Sequence, residues 1–244
     1  MTPINLIIHD VTLRDGNHAL RHQESRELVR DYCLIADESA VQYVEVGHGN
    51  GIGASSALVG FSKETDEVLL TTAREALKQT KLAVHCIPGF ATVENNVKPA
   101  IDYGVDLFRI GTHVTETDTG ANHLKFVNEV GKEAVAVLMM SHMASIERLV
   151  EECKKAESFG AGSIVIMDSA GHFTPRDVTE RISAIVAAVG VGVGFHAHNN
   201  LGVGIANALA AVNAGATTLD ASSMALGAGA GNAPARVPGS CAGQ

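Results

Sequence analysis

Ala40-Val-Gln-Tyr-Val-Glu-Val46, Gly104-Val-Asp-Leu-Phe-Arg-Ile110, Gly160-Ala-Gly-Ser-Ile-Val-Ile166 and Gly215-Ala-Thr-Thr-Leu-Asp-Ala221 are four versions of one pattern, a small turn residue followed by a short β-branched run. They begin at residues 40, 104, 160 and 215, so the pattern recurs at about twice the roughly 30 residues of one strand-helix unit. Between them lie further apolar runs at 82–86, 134–140 and 191–195, and another opens the chain at 6–11. Eight strand candidates result, and each but the last precedes a stretch with helical spacing. Leu28, Tyr32 and Ile35 fall at i, i+4 and i+7, as do Val93, Val97 and Ile101, and each set predicts one buried stripe. Thr174 predicts an N-cap, with Pro175 at the first helical position, Asp177 in the first turn and Ile182, Ile185 and Val189 on one side. Gly215 predicts the left-handed residue that closes the helix begun after His198.

Eight strands alternating with helices fit an α/β fold of the (β/α)8 TIM-barrel type, although a doubly wound open sheet uses similar elements. Even strand spacing and the lack of a GxGxxG turn after the first strand favour the barrel. Residues 1–226 contain no linker and read as one catalytic barrel domain. Residues 227–244 read as a glycine-rich loop and an irregular, truncated tail, so the last helix is expected to be missing. Its absence is expected to expose apolar positions on strands eight and one, Leu219 and Ile7 or Ile8.

The composition narrows the function. The 244 residues are 46% hydrophobic and 18% charged, the balance of an ordinary globular protein. A net charge of −9 gives no footprint for nucleic acid or an anionic membrane. The longest apolar stretch, 134–140, is far short of the ~18 residues a membrane span needs, and the N-terminus has no signal-peptide pattern, so a cytoplasmic protein is expected. Cys33, Cys86, Cys153 and Cys241 have no CxxC spacing and read mostly as core residues.

Polar residues beyond the C-terminal ends of barrel strands converge on one face. Here they are Arg14, Asp15 and His18 after strand one, His113 after strand four, His142 after strand five, Asp168 and Ser169 after strand six, and His196 and His198 after strand seven. His196 and His198 are one residue apart at a strand end, so alternation turns both imidazoles the same way. In a closed barrel strand eight neighbours both strand seven and strand one, which brings Asp15 within reach. Two imidazoles and a carboxylate leave coordination positions open, as a catalytic metal site requires. The set lacks thiolate and suits a divalent metal such as Mn2+, Mg2+, Co2+ or Fe2+ over structural zinc. Against this, strand-end histidines can simply bond local carbonyls, and an adjacent Arg14-Asp15 can be a turn salt bridge. His48, in a glycine loop after strand two, and His172 fit either a pocket wall or turn solvation. The glycine run from Gly227 could offer backbone N–H groups to an anion, but it lacks a following helix to strengthen a phosphate site.

Three motifs, Thr12-Leu-Arg-Asp-Gly-Asn-His-Ala19, His196-Ala-His-Asn-Asn-Leu-Gly202 and Gly227-Ala-Gly-Ala-Gly-Asn-Ala-Pro234, resemble the signatures of 4-hydroxy-2-oxovalerate aldolases. These pyruvate-specific aldolases sit in a superfamily with acyl-CoA Claisen-condensing synthases and HMG-CoA lyase-like enzymes. The resemblance implies metal-dependent retro-aldol cleavage of 4-hydroxy-2-oxopentanoate to pyruvate and acetaldehyde, in degradation of aromatic compounds. It implies Asp15, His196 and His198 as metal ligands, with Asn232 a further candidate. It makes Arg14 the stabiliser of enolate charge and His18 the base for the C4 hydroxyl. Arg14, Ser169 and His196 would bind substrate, and Cys86-Ile-Pro-Gly89 would shape the aldehyde end. Asn17-His18 and Asn199-Asn200 point to the aldolase branch rather than to a synthase or lyase. Family members continue with a last barrel helix and a helical C-terminal domain that supplies a pocket tyrosine and docks an acylating acetaldehyde dehydrogenase. Here the tyrosines are Tyr32, Tyr43 and Tyr103, all in earlier elements. A catalytically weak metal-binding fragment is therefore the alternative outside the superfamily's chemistry.

Overall fold

A computed structural model describes residues 6–235. Eight strands, β1 (Ile7–Asp10), β2 (Tyr43–Glu45), β3 (Lys81–Cys86), β4 (Leu107–His113), β5 (Glu133–Met139), β6 (Ser163–Asp168), β7 (Gly192–Ala197) and β8 (Thr218–Ala221), pair in parallel in sequence order. Ile7 to Asp10 on β1 pair with Thr218 to Ala221 on β8 and close the barrel. All eight strands fall within or beside the apolar runs read from the sequence. Seven helices follow the first seven strands: α1 (Arg26–Asp37), α2 (Asp66–Ala76), α3 (Lys98–Asp102), α4 (Ala121–Glu129), α5 (Ile146–Ser158), α6 (Pro175–Val186) and α7 (Gly204–Asn213). After β8 the described residues contain one 3-10 turn, Ser223–Ala225, and no further helix.

Local signals account for several boundaries. Thr174 caps α6 and shares a reciprocal capping box with Asp177, with Pro175 in the first turn and Ile182 and Ile185 buried. Gly215, at φ 105°, follows the end of α7 in the left-handed region, as its position predicts. The α1 stripe is a correction. Val29, Cys33 and Ala36 are its buried residues, whereas Leu28 is exposed and Ile35 is 71% exposed. Two apolar rows run along this helix, and the row of smaller side chains is the one that packs on the barrel. Tyr32 is half-buried against the core, and with Ile35 it lines a cavity of about 300 Å3 shared with Ile8, Val41, Ser223 and Ala235.

The expected exposure of Leu219 is also corrected. It is only 3% exposed and joins the core cluster that includes Phe195, Ala208 and Ala233. Ile7 packs with the cluster of Tyr43, Ala83, Leu107, Val135 and Val165, and Ile8 is half-buried against the larger core. Cys33, Cys86 and Cys153 are buried free thiols, while Cys241 lies outside the described residues.

Strand alternation gives the barrel an unusual interior. One layer is apolar, with Tyr43, Leu107, Val135 and Val165. Two residues further along β2 and β4 come Glu45 and Arg109, joined by His9, His85, His196 and Asp220, all buried. A cavity of about 330 Å3 is lined by the strand starts at Ile7, Gly162, Gly192 and Thr217 and reaches Arg109 and Asp220. The charged layer thus lies between this cavity and the barrel mouth.

Candidate active site

The turn after β1 positions three side chains. Arg14, Asp15 and Gly16 each direct a backbone N–H to the Val11 carbonyl, and a 3-10 turn, Gly16–His18, follows. This tight turn sends the Arg14 side chain towards β2, where Nε donates to Glu45 Oε1. Arg14 Nη1 donates to Asp15 Oδ1 at 2.7 Å and to the Gly49 carbonyl at 3.3 Å. Its remaining nitrogen, Nη2, is buried without a partner.

Asp15, His196 and His198 each offer a ligand atom, and these atoms all lie within 4.8 Å of one another. All three residues are buried, with the two rings 4.8 Å apart in an edge arrangement. His196 Nε2 and His198 Nδ1 have no hydrogen-bond partner. Burial and the neighbouring His196 push His198 down to about 4, which leaves it a neutral imidazole with a lone pair to give. Burial works against charge on Asp15, but Arg14, His196 and His198 hold its carboxyl well below the ordinary carboxylate range. A carboxylate beside two orphaned, buried imidazole nitrogens fits a divalent cation.

Asn232 is brought to this cluster by the chain beyond β8. Residues 226–235 fold back across the mouth, with Asn199 N donating to the Gly231 carbonyl at 2.9 Å and Ala233 N to Ala197 O at 3.1 Å. Asn232 Nδ2 then donates to Asp15 Oδ2 at 2.7 Å, and its Oδ1 is buried and unpartnered. The backbone N–H of Ala228 also donates to Asp15 Oδ2, at 3.2 Å. The glycine run therefore serves an anion of the protein itself. Glycine is required at Gly227, where a Cβ would fall 2.7 Å from Asp15 Oδ2 and 2.5 Å from the Asn232 amide.

His18 lies over Gly49, where a Cβ would come within 2.6 Å of its ring. Burial lowers its pKa despite the opposing pull of Asp15. Behind it, His22 stacks on His48 with ring centroids 3.6 Å apart and meets His18 edge-on at 5.1 Å. His22 accepts from Gly49 N through Nδ1, and His48 Nε2 lies 3.1 Å from the Gly60 carbonyl. His48 is thus part of the wall that holds the β2 loop. Arg21 and His22 take left-handed φ values of 53° and 61°, local strain beside the proposed base.

The other candidates make no described hydrogen bond to this cluster. Ser169 Oγ accepts from Met140 N at 2.9 Å and has no described hydrogen bond to Asp15, His196 or His198. Asp168 accepts from the backbone N–H groups of His172 and Phe173, which anchors the loop after β6. His142 and His172 approach to 6.0 Å, and His113 Nδ1 lies 2.9 Å from Thr115 Oγ1. Cys86 is fully buried, with its thiol raised well above its usual range by burial.

The residues not singled out from the sequence are Glu45, Arg109 and Asp220. They occupy the same sixth place in three of the four repeated segments, where the fourth carries Val165. A charged residue at a lumen-facing place in a β-branched run is the signal that identifies them. Arg109 Nη1 donates to Glu45 Oε2 at 2.9 Å and Nη2 to Asp220 Oδ2 at 2.5 Å. Asp220 Oδ2 in turn lies 2.8 Å from His196 Nδ1.

The HMGL-like family model matches residues 5–237. The chain belongs to the HMGL-like family. Among curated relatives, the 4-hydroxy-2-oxovalerate aldolase of Pectobacterium atrosepticum is 52% identical over 181 residues, 74% of this chain and 53% of the relative. That of Spirochaeta aurantia is 51% identical over 185 residues, 76% of this chain and 54% of the relative. This HMGL-like chain spans about half the length of the curated relatives it matches. Among solved structures, the N-terminal domain of a proposed aldolase from Bacteroides vulgatus aligns with TM-score 0.84 and 27% identity, covering 97% of this chain and 79% of that one. The carboxyl transferase domain of Rhizobium etli pyruvate carboxylase shares the fold, with TM-score 0.82 and 20% identity over 96% of this chain and 42% of that one. No helix among the described residues is long and apolar enough to cross a membrane.

Glu24, next to the Ser25 cap of α1, is 2% exposed, and burial pushes its carboxyl up to about 9. It therefore keeps a proton in the fold that the unfolded chain loses above the ordinary value of 4.5. The linked stability is complete below that value and is lost as pH rises towards 9, by up to about 1.4 kcal/mol per pH unit. Glu24→Gln is expected to raise Tm increasingly between pH 6 and pH 9. A gain independent of pH in the same melts would mean that the carboxyl is ionised in the folded chain.

Proposed function

We propose that this chain is the catalytic barrel of a divalent-metal-dependent lyase that cleaves 4-hydroxy-2-oxopentanoate to pyruvate and acetaldehyde. The observation that carries the reading is the buried Arg14, clamped by Glu45 and Asp15 with Nη2 uncommitted, beside the converging Asp15, His196 and His198. The names of the relatives supply the substrate. Asp15, His196 and His198 would hold the ion, Mn2+ ahead of Mg2+ or Co2+, with Asn232 orienting Asp15. When bound, such an ion supplies Lewis-acid polarisation of the substrate's 2-oxo group.

The chain's own residues do the rest. The lowered pKa of His18 keeps it neutral near pH 7, ready to take the C4 hydroxyl proton. As that proton leaves, the C3–C4 bond breaks, acetaldehyde departs, and the electron pair passes to pyruvate as its enolate. Arg14 Nη2 then has a charged acceptor in place of none, so its contribution is greatest where charge develops. A proton from solvent at C3 completes pyruvate, and His18 returns its proton to solvent. Ser169 is the proposed carboxylate contact, reached from the β6 end, and the Cys86 to Gly89 turn the aldehyde end. The cytoplasm is the proposed compartment. In a chain of the relatives' length the aldehyde would pass to an acylating acetaldehyde dehydrogenase.

The test is a product assay. With Mn2+, the chain is expected to release pyruvate from 4-hydroxy-2-oxopentanoate and no free thiol from acetyl-CoA supplied with a 2-oxo acid. Thiol release without pyruvate release would assign it to the Claisen-condensing branch instead.

A further inference from the structure

Asp15 and His196 are joined beneath the barrel mouth by an unbroken chain of charged side chains. Asp15 bonds to Arg14, Arg14 to Glu45, Glu45 to Arg109, Arg109 to Asp220, and Asp220 to His196. All six residues are buried, and the last five links come from β1, β2, β4, β8 and β7 or the turns at their ends. Two arginines thereby alternate with three carboxylates along the chain. We propose that Arg109 and Asp220 are positioning residues for the metal centre, which orient His196 and tie its placement to that of Arg14. The inference rests on the reading of Asp15, His196 and His198 as the ligand set.

The chemistry at His196 is directional. A carboxylate can only accept, so the proton on His196 must sit on Nδ1, where Asp220 receives it. That tautomer leaves a lone pair on Nε2, the buried nitrogen that has no partner. Histidine ligands of metals are commonly fixed in this way by a carboxylate on the other nitrogen. Asp220 is itself held on the same oxygen by Arg109 Nη2, so the imidazole cannot swing without disturbing the arginine. Arg109 has its other amino group on Glu45, whose second oxygen holds Arg14 Nε. A shift at His196 would therefore reach Arg14, the guanidinium proposed to meet the enolate. Arg109 Nε and Asp220 Oδ1 are buried without protein partners, and both residues border the cavity on the N-terminal side of this layer, so the bonds from Arg109 to Glu45 and Asp220 and from Asp220 to His196 are the polar contacts that fix these two side chains.

The experiment compares the full chain with Asp220→Asn, with the charge-balanced pair Arg109→Met and Asp220→Asn, and with Arg74→Met, which breaks the Arg74–Asp106 pair away from the site. Mn2+ affinity is measured by competition with a chromophoric chelator, and imidazole 15N shifts of the metal-free wild type report the His196 tautomer. The wild type is expected to carry the His196 proton on Nδ1. Both Asp220 variants are expected to bind Mn2+ about 10- to 100-fold more weakly, and Arg74→Met is expected to keep wild-type affinity. Affinity within threefold of wild type in a folded Asp220 variant would overturn the positioning role, as would a His196 proton on Nε2 even if neither variant folds. Failure of the wild type to bind one Mn2+ would instead overturn the ligand reading beneath it.

Discussion

Asp15→Ala and His198→Ala are each expected to abolish binding of one Mn2+ per chain in equilibrium dialysis, and with it any metal-dependent turnover. Each removes one of the three converging side chains proposed as ligands, and among the described residues the cluster has no other His, Cys, Asp or Glu. The two variants are expected to differ in stability. Asp15 is the partner of buried Arg14, and its removal leaves that charge with Glu45 alone. Losing one side of a buried pair costs about 3 kcal/mol or more where nothing replaces it. The low pKa of the Asp15 carboxyl means that this contribution exists at neutral pH and is lost on acidification below the ordinary value of 3.8. His198 is neutral, with an unpartnered Nδ1, so its removal breaks no ion pair and should lower Tm less than that of Asp15. Unchanged metal stoichiometry in both variants would remove these residues from the ligand set.

Arg14→Ala is expected to slow both C–C cleavage and exchange of the pyruvate methyl protons by roughly 10²- to 10³-fold, the range for losing one donor to developing oxyanion charge. Both reactions pass through the same enolate. Arg14→Lys should recover little, because a single ammonium cannot meet Glu45, Asp15 and the Gly49 carbonyl and still keep a donor free. His18→Ala is expected to separate the two reactions. Cleavage needs the C4 hydroxyl deprotonated and should fall strongly, whereas exchange has no such hydroxyl and should fall less. Equal losses for His18→Ala in both assays would deny it the role of that base.

The barrel was legible because each strand is buried on both faces and so reads as an apolar run between turn residues. Its closure follows from repetition, and the convergence of Asp15 with His196 and His198 follows from closure. On α1, Val29, Cys33 and Ala36 offer the same spacing as the larger Leu28, Tyr32 and Ile35, and spacing alone does not say which row meets the barrel. Leu219 was expected to be exposed on the premise that the last helix alone covers it, yet it is buried in a cluster with Phe195 and Ala233. The charged lumen was visible in principle, since Glu45, Arg109 and Asp220 share one place in the repeat. Seeing it required knowing that this place points inward, a matter of register. The approach of Asn232 to Asp15 depends on the loop after β8 turning back over the mouth, which no local signal in a run of glycine and alanine specifies.

On the proposed reading, this barrel mouth generates a pyruvate enolate through Arg14 with a divalent ion held by Asp15, His196 and His198. It is tested most directly by incubating the chain with pyruvate in D2O, with Mn2+ or with chelator, and following the methyl protons by NMR after chelator quench. The methyl signal is expected to decay only with Mn2+ present, and to persist in Arg14→Ala and His198→Ala. No exchange by the Mn2+-loaded chain, or exchange that persists in Arg14→Ala or after chelation, would contradict it.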